Sequence, residues 1–378
     1  MSGGFRRFRL ARKVGESSIV TSFHLAPEDG GPLWPMRPGQ YLTLRIPLPE
    51  GPVLRTYSLS ALADGDAHRI SVKRESLGSV WLHDRLAEGD VIEVAAPRGA
   101  FCLEEDSPRP VLLLAGGIGV TPLLSMLYRL AQSARRAWLL HAVENGEVHA
   151  LGAEAAALAA LAPDRITVRN VYRAPTAQDR TSGRFHAEGV IDRALLQSLL
   201  PLDDYDVYLC GPTGFMVAMW RLLTGLGVAP QRIAYEFFGP GGSLAALAAE
   251  PVTARAPDRR MPSRAPASLV RLEFITDPDA RALPERPLPV TRGEGGEVVF
   301  ARSGLTLPWD DGAGSILELA EAAGLSPPFS CREGICGTCR CAVTEGRVEY
   351  LAEPLDPPPP GQALICCSRP ASRLVLDL

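Results

Sequence analysis

The stretch Ser330–Cys341 reads SCREGICGTCRC, and its spacing, Cys331-x4-Cys336-x2-Cys339, decides what the end of the chain is. Each iron of a two-iron, two-sulfide rhomb takes two thiolates beside its two sulfides. A tight loop carrying three thiolates, with a fourth from a distant strand, encloses such a rhomb. Gly334 and Gly337 let that loop curl and turn backbone N–H groups toward the sulfurs. A four-cysteine zinc site is the competing chemistry, but its knuckles come as two C-x2-C pairs. The fourth thiolate lies in ALICCSRP, where Cys366 and Cys367 are neighbours. Adjacent strand residues point to opposite faces, so one of the two ligates.

Six of the eight cysteines fall between Cys331 and Cys367, while Cys102 and Cys210 stand alone. A disulfide framework would be spread through a small secreted chain, so this crowding points to metal. The 378 residues exceed one ordinary core and fit two or three domains. No apolar run approaches the roughly 20 residues that cross a bilayer. The basic start MSGGFRRFRLARK lacks an apolar h-region, so the expected location is cytoplasmic, with no membrane partner. Charge is unevenly placed: Met1–Pro240 carries 25 basic and 25 acidic residues, Leu269–Leu378 10 and 16. The acidic end repels nucleic acid and favours a basic protein face.

Upstream, two regions differ in pattern. Residues 5–105 hold short β-type runs, YLTLRI, RISVKRE and VIEVAAP, broken by Pro and Gly, which predicts an antiparallel barrel. Residues 110–240 alternate buried-strand runs, VLLLAGG, AWLLHAV, ITVRNVY and DVYLCGP, with helical stretches, which predicts a parallel sheet covered on both faces. In VLLLAGGIGVTPLLSML, Gly116, Gly117 and Gly119 open a strand–turn–helix unit suited to a dinucleotide pyrophosphate, with Thr121 as cap. Ser79 is expected to open a helix whose hydroxyl and free N–H groups hold a second pyrophosphate. Gly241–Ser268, rich in Ala, Pro, Gly and Arg, reads as a tether whose first part can form a short helix. Of the six histidines, His83 and His141 read as structural, and no metal constellation forms among them.

The run Arg55-Thr56-Tyr57-Ser58 resembles the RxYS motif of the ferredoxin–NADP reductase superfamily. The resemblance extends from PGQYL (Pro38–Leu42) through GSVWLHD (Gly78–Asp84), Pro97, Gly99 and Phe101, and VYRAPTAQD to YEFFGP (Tyr235–Pro240). In this order the segments are most similar to the reductase half of flavohaemoglobins. The C-terminus is similar to the ferredoxin of phthalate-dioxygenase-type and vanillate-demethylase-type reductases, whose CxSR ending maps the fourth ligand to Cys366. Cys341 and Cys367 are then small buried apolar residues.

The resemblance implies a multidomain fold: an antiparallel β-barrel flavin domain (1–106), an α/β parallel-sheet NAD(P) domain (107–240), a linker (241–268) and an α+β β-grasp [2Fe–2S] ferredoxin domain (269–378). It implies catalytic roles for Ser58, Cys210 and Glu236. Flavin and nicotinamide contacts would come from Arg55, Thr56, Tyr57, Ser58, Lys73, Gly78, Ser79, Gly116, Gly117, Gly119, Thr121, Pro122, Glu144, Cys210, Gly211, Pro212 and Phe238, and the cluster ligands are Cys331, Cys336, Cys339 and Cys366. FAD is expected, with FMN the alternative. NADH is expected over NADPH because HAVENG (His141–Gly146) offers Glu144 and no cation, with Arg173 the nearest competitor. The implied activity is a monomeric NADH-dependent electron-transfer reductase feeding single electrons to a terminal oxygenase, Rieske-type or haem. Reduction of diffusible acceptors such as quinones or ferric chelates, and redox sensing, are the rival readings.

Overall fold

The computed structural model describes residues 5–49, 51–63, 65–238, 244–249, 296–309, 313–325, 327–329, 332, 334, 337–355 and 357–378. Strands β1 (Arg6–Gly15), β2 (Val20–Pro27), β3 (Tyr41–Leu48), β4 (Gly51–Ser58), β5 (His68–Lys73) and β6 (Val91–Arg98), with helix α1 (Leu77–Asp84) between the last two, make the first module. The six strands form one antiparallel sheet in the order β4-β3-β6-β1-β2-β5. Apolar residues such as Phe8, Leu10, Phe23, Leu25, Leu44, Ile46 and Ile70 share its fully buried face. The sheet coils until its edges meet: Leu59, just after β4, bridges to Ile70 on β5, and Ser60 N donates to Arg69 O at 2.9 Å.

The second module alternates β7 (Val111–Gly116), α2 (Val120–Ala131), β8 (Ala137–Val143), α3 (Gly152–Leu161), β9 (Ile166–Tyr172), α4 (Ala177–Ser182), β10 (Ala187–Glu188), α5 (Arg193–Leu199), β11 (Asp206–Cys210), α6 (Thr213–Gly225) and β12 (Ile233–Glu236). All six strands are parallel, in the order β10-β9-β8-β7-β11-β12. Every residue of β7 is buried because both sheet faces are covered. Leu113 and Ala115 pack on α2, and Leu112 and Leu114 on the α6 side. Chain direction across the sheet reverses between β7 and β11, and such a switch opens a crevice at the carboxyl ends of the strands.

Helix α7 (Leu244–Ala249) forms in the first part of the expected tether, where the sequence allowed a short helix. LAALAA is made of strong helix formers, Leu244 is fully buried against the second module, and Arg221 Nε donates to Ala248 O at 2.8 Å. The remainder of that segment, 250–268, and residues 269–295 of the expected ferredoxin domain lie outside the described residues.

The third module comprises β13 (Glu297–Phe300), β14 (Leu305–Pro308), α8 (Ile316–Ala322), β15 (Arg340–Glu345), β16 (Val348–Tyr350), β17 (Gln362–Leu364), β18 (Ser368–Pro370) and β19 (Leu374–Leu376). A mixed sheet, β14-β13-β19-β15-β17, has parallel β13 and β19 next to each other, and β16 pairs separately with β18. Phe300, Leu374 and Leu376 of the sheet enclose Ile316 and Leu317 of α8.

Where the second module changes direction, the turns after β7 and β11 touch through glycines. A methyl on Gly119 would strike the Cys210 carbonyl and lie 2.7 Å from Gly211 N. One on Gly211 would lie 2.9 Å from Gly116 Cα. Gly119→Ala is expected to cost about 1–3 kcal/mol through overpacking, while Gly15→Ala, with nothing within 4 Å, leaves stability unchanged. Denaturant midpoints of the two variants check this.

Candidate active site

A cavity of about 440 Å³ opens where the three modules meet. Its wall is built from the ends of β4 and β5, the start of α1, Ile118 of the β7–α2 turn, Glu236–Phe238 after β12, and Thr338 of the third module.

Strand β4 brings Arg55, Thr56, Tyr57 and Ser58 to this wall together. The Tyr57 hydroxyl is buried without a hydrogen-bond partner, and burial drives its pKa far above the ordinary phenol value. A buried donor in that state is a ready contact for a polar ligand atom. Gly78 lies directly beneath: a methyl there would be 3.1 Å from Arg55 Cγ and 3.6 Å from the Tyr57 hydroxyl. The start of α1 therefore presses against the Arg55 stem and sets first-turn backbone N–H groups beside a guanidinium. That pairing suits a phosphate. Lys73 and Ser79 also line the cavity, but Lys73 Nζ is paired with Glu75 Oε2 at 2.7 Å.

Ser79 does not open the helix. Ser76 is the N-cap, and the buried Ser79 hydroxyl turns back to accept from Ser76 N at 2.8 Å and Glu75 N at 3.0 Å. Its hydroxyl is thus committed to holding the helix start, leaving the backbone of the first turn to face a ligand. Thr121 departs from expectation in the same way. The helix is preceded by a 3₁₀ turn, Gly117–Gly119, and Thr121 Oγ1 donates to Ile118 O at 3.1 Å rather than capping α2. Pro122 O accepts from Ser125 Oγ at 2.7 Å, and Ser125 Oγ accepts from Gly39 N at 2.8 Å, tying the PGQYL loop to α2.

Ser58 and Glu236 come from modules 178 positions apart, and Ser58 Oγ donates to Glu236 Oε2 at 3.5 Å, the outer edge of hydrogen-bond distance. Parallel register sets Glu236 beside Cys210, and Cys210 beside Ala115 of β7. Cys210 is fully buried; burial first, and the Glu236 charge second, push its thiol well above the ordinary range, so it stays a neutral thiol. Gly211 and Pro212 follow it at the crevice, where the Pro212 ring would sit 3.0 Å from a methyl on Gly116. Phe238 stands half-exposed at the cavity rim.

Glu144, at the end of β8, meets the cation that the sequence names as its competitor. Arg173, at the end of β9, forks onto it, Nε to Oε2 at 2.7 Å and Nη2 to Oε1 at 3.1 Å. Behind the glycine turn, His141 Nε2 lies 2.8 Å from Gly117 O, and since a carbonyl only accepts, this nitrogen carries the proton. Burial is the first cause that pulls all six histidines below their ordinary value, His68 and His149 to about 4 and His141 to about 3.

In the third module, Cys339 Sγ and Cys366 Sγ lie 3.0 Å apart, and Gly334 N donates to Cys366 Sγ at 3.4 Å. The Cys367 thiol lies 3.6 Å from Leu364 O and packs against the same loop, where a methyl on Gly334 would be 2.6 Å from its sulfur. Cys341 faces Asp377 O, with its thiol pushed up to about 11 by burial. Two thiols converging under a backbone N–H are a donor set that suits an iron–sulfur cluster. Cys331 and Cys336 lie outside the described residues. Gly334 and Gly337, both at φ +69°, adopt the left-handed turn that the loop requires.

Sequence reading missed Ser71, Val72, Ile118 and Thr338 as cavity residues. Their neighbours Lys73, Gly117 and Cys339 supplied the signal, because a strand or turn that reaches a site brings adjacent residues with it.

Two family models match the chain: an oxidoreductase NAD-binding domain over residues 113–220 and a 2Fe-2S iron-sulfur cluster binding domain over residues 298–371. The chain is 40% identical over 251 residues to a flavohemoprotein of Bacillus subtilis, covering 65% of this chain and 62% of that one. The flavohem-like FAD/NAD-binding domain of nitric oxide dioxygenase from Vibrio cholerae is 37% identical; the match covers 63% of this chain and all of that one, with a TM-score of 0.56. Phthalate dioxygenase reductase, described as a modular structure for electron transfer from pyridine nucleotides to [2Fe-2S], is 27% identical, with 99% of this chain and 98% of that chain covered and a TM-score of 0.53. The chain thus spans about 62% of the length of the flavohemoproteins that it matches. No helix among the described residues is long and apolar enough to cross a membrane.

Cys366→Ser is expected to lower iron and acid-labile sulfide to under about a tenth of the wild-type content, whereas Cys367→Ser keeps both. Metal and sulfide analysis of the two purified variants decides between the neighbours, and zinc without sulfide in the wild type would remove the cluster altogether.

Proposed function

Because this chain belongs to the ferredoxin–NADP reductase superfamily, as a flavohaemoglobin-like reductase module fused to a C-terminal [2Fe–2S] ferredoxin, we propose that it supplies single electrons from NADH to a partner oxygenase. The observation that carries this reading is Thr338: it adjoins Cys339 and lines the same cavity as Tyr57, Ser58 and Glu236. A flavin in that cavity would sit against the cluster loop on one side and the nicotinamide crevice on the other. When bound, the flavin supplies two-electron acceptance from nicotinamide and one-electron release to the cluster.

The protein's part is binding, orientation and proton handling. Arg55 and the first turn of α1 hold flavin phosphate, and Tyr57 donates from the cavity wall. FAD is favoured because Ser79, the run Pro97, Gly99 and Phe101, and the EFFGP segment follow the flavohaemoglobin pattern, and FMN is the alternative. Ser58 and Glu236 form a proton path into the cavity. Cys210, kept neutral, fills the space beside the nicotinamide without acting as a nucleophile, and Phe238 covers the rim. Gly116, Gly117 and Gly119 admit the dinucleotide pyrophosphate, with Gly211 and Pro212 opposite. The flavin unit is assigned to residues 1–106, the nucleotide unit to 107–240, the linker, whose α7 packs on that unit, to 241–268, and the ferredoxin to 269–378. Cys331 and Cys336 complete the ligand set of Cys339 and Cys366.

Glu144 accepts bonds from the adenosine ribose hydroxyls, and its fork with Arg173 keeps that cation from a 2′-phosphate. Stopped-flow reduction of the purified holoprotein is therefore expected to show higher kcat/KM with NADH than with NADPH. Glu144→Gln should release Arg173 and raise kcat/KM for NADPH about tenfold, equivalent to about 1.4 kcal/mol. A wild type that prefers NADPH would overturn the role given to Glu144.

The partner is proposed to carry a basic face. Glu345, Glu349, Glu321 and Asp377 of the third module are paired with Arg373, Arg369, Arg332 and Arg302. Local patches are thus muted, and the acid excess of Leu269–Leu378 acts mainly as a long-range field. Partner reduction is expected to slow severalfold as salt shortens the Debye length from about 30 Å to about 10 Å. NADH-driven flavin reduction, internal to a charge-balanced region, should hold steady. A salt series on both steps measures the contrast.

A further inference from the structure

A line of polar side chains leads from the cavity wall to the contact between the first two modules. Ser71 lines the cavity; its hydroxyl lies 2.8 Å from Ser60 Oγ and 2.7 Å from Ser22 Oγ, and all three serines are buried. Arg69 Nε donates to Ser60 Oγ at 3.0 Å, and Nη2 donates to Ser60 O. The same guanidinium then crosses to the second module, with Nη1 2.9 Å from Glu154 Oε2 and Nη2 2.7 Å from Glu154 Oε1. The Tyr128 hydroxyl, on α2, also donates to Glu154 Oε1, and burial and this bond raise its pKa to about 12.

This pair differs from the surface ion pairs of the molecule. Arg69 and Glu154 are 11% and 24% exposed, whereas Arg45 and Glu93, paired within the first module, are 36% and 46% exposed. A shielded two-pronged contact fixes both distance and angle, and salt screens it less. Four of the five N–H bonds of Arg69 have partners, two groups on each side of the module boundary. The anchoring side, Ser60, is where the edges of the first sheet close, and the receiving side is the first turn of α3, which packs with α2 behind the glycine turn.

We propose that Arg69, Glu154 and Tyr128 form a positioning clamp that fixes the nucleotide module against the flavin module and so sets the donor–acceptor distance of hydride transfer. The proposal rests on the functional reading above, in which donor and acceptor are held by different modules. Their separation then depends on the angle between the modules, and hydride transfer is steeply sensitive to small displacements.

The test uses full-length holoprotein with Glu154→Gln, Arg69→Met, the double variant and Tyr128→Phe, and Arg45→Gln as a control. At saturating NADH, flavin reduction is expected to slow about tenfold in Glu154→Gln and Arg69→Met, with KM for NADH within about twofold of wild type. The double variant should be no slower than the poorer single, because the two groups act as one unit. Tyr128→Phe should fall between, and Arg45→Gln should match wild type. Independently of turnover, amide hydrogen exchange in α2, α3 and the Leu59–Ser71 segment should rise in Glu154→Gln without NADH, at unchanged flavin content. Wild-type reduction rates in Glu154→Gln, losses that merely track lost flavin, or unchanged exchange would each overturn the clamp. If the wild type itself is not reduced by NADH, the functional reading fails instead, and the exchange data show that separately.

Discussion

Everything in the candidate site hangs on the close approach of two strand-to-helix turns. β7 and β11 are adjacent and parallel, and their following turns meet through Gly116, Gly119 and Gly211, where no side chain fits. That approach makes the crevice narrow and fixes Cys210 and Glu236 relative to the glycine turn by strand register alone. Backbone hydrogen bonds in a sheet buried on both faces are stiff. The placement of the thiol and carboxylate is therefore inherited from β-sheet geometry rather than from side-chain contacts.

The first module is organised around the same place by a different device. Its sheet coils until β4 and β5 meet, which brings the Arg55–Ser58 run and the Ser71–Lys73 run to one wall. Ser58 then faces Glu236 across the junction. The third module contributes through a loop rather than an element, with Thr338 reaching the wall just before Cys339. Three separately folded cores thus share one small surface, and none of them contains the site by itself.

Much of this was legible in the sequence because the relevant constraints are local. A cluster loop needs its thiolates at fixed short spacing, and a strand buried on both faces must read as an apolar run, as VLLLAG does. What escaped was decided by hydrogen bonds and turn geometry between which residue type alone does not choose. Ser79 looked like a helix opener, yet Ser76 caps α1 and Ser79 braces it from within. Thr121 looked like a cap, but the 3₁₀ turn ahead of α2 moved the helix start. Arg173, named from the sequence as the competitor of Glu144, lies 29 positions from it, and the β8–β9 register is what makes the two a pair. Cys366 was chosen over Cys367 by resemblance alone; in the folded chain both lie in the bend Ile365–Cys367, and Gly334 N donates to Cys366 Sγ.

The uniform neutrality of the histidines has a consequence for acid tolerance. In the unfolded chain these groups would titrate near 6.5, whereas burial holds His68, His141 and His149 at about 4, 3 and 4 in the folded one. Between those limits the unfolded chain binds protons that the folded chain refuses, so stability is full above pH 6.5 and falls as pH drops toward 4. His24, His83 and His186 are shifted in the same direction and add to the effect. All six lie in the two modules that would hold flavin and nucleotide. Mild acidification therefore selects against the reductase half of the chain, while the cysteine-bearing module, which has no histidine, is left to its carboxylates.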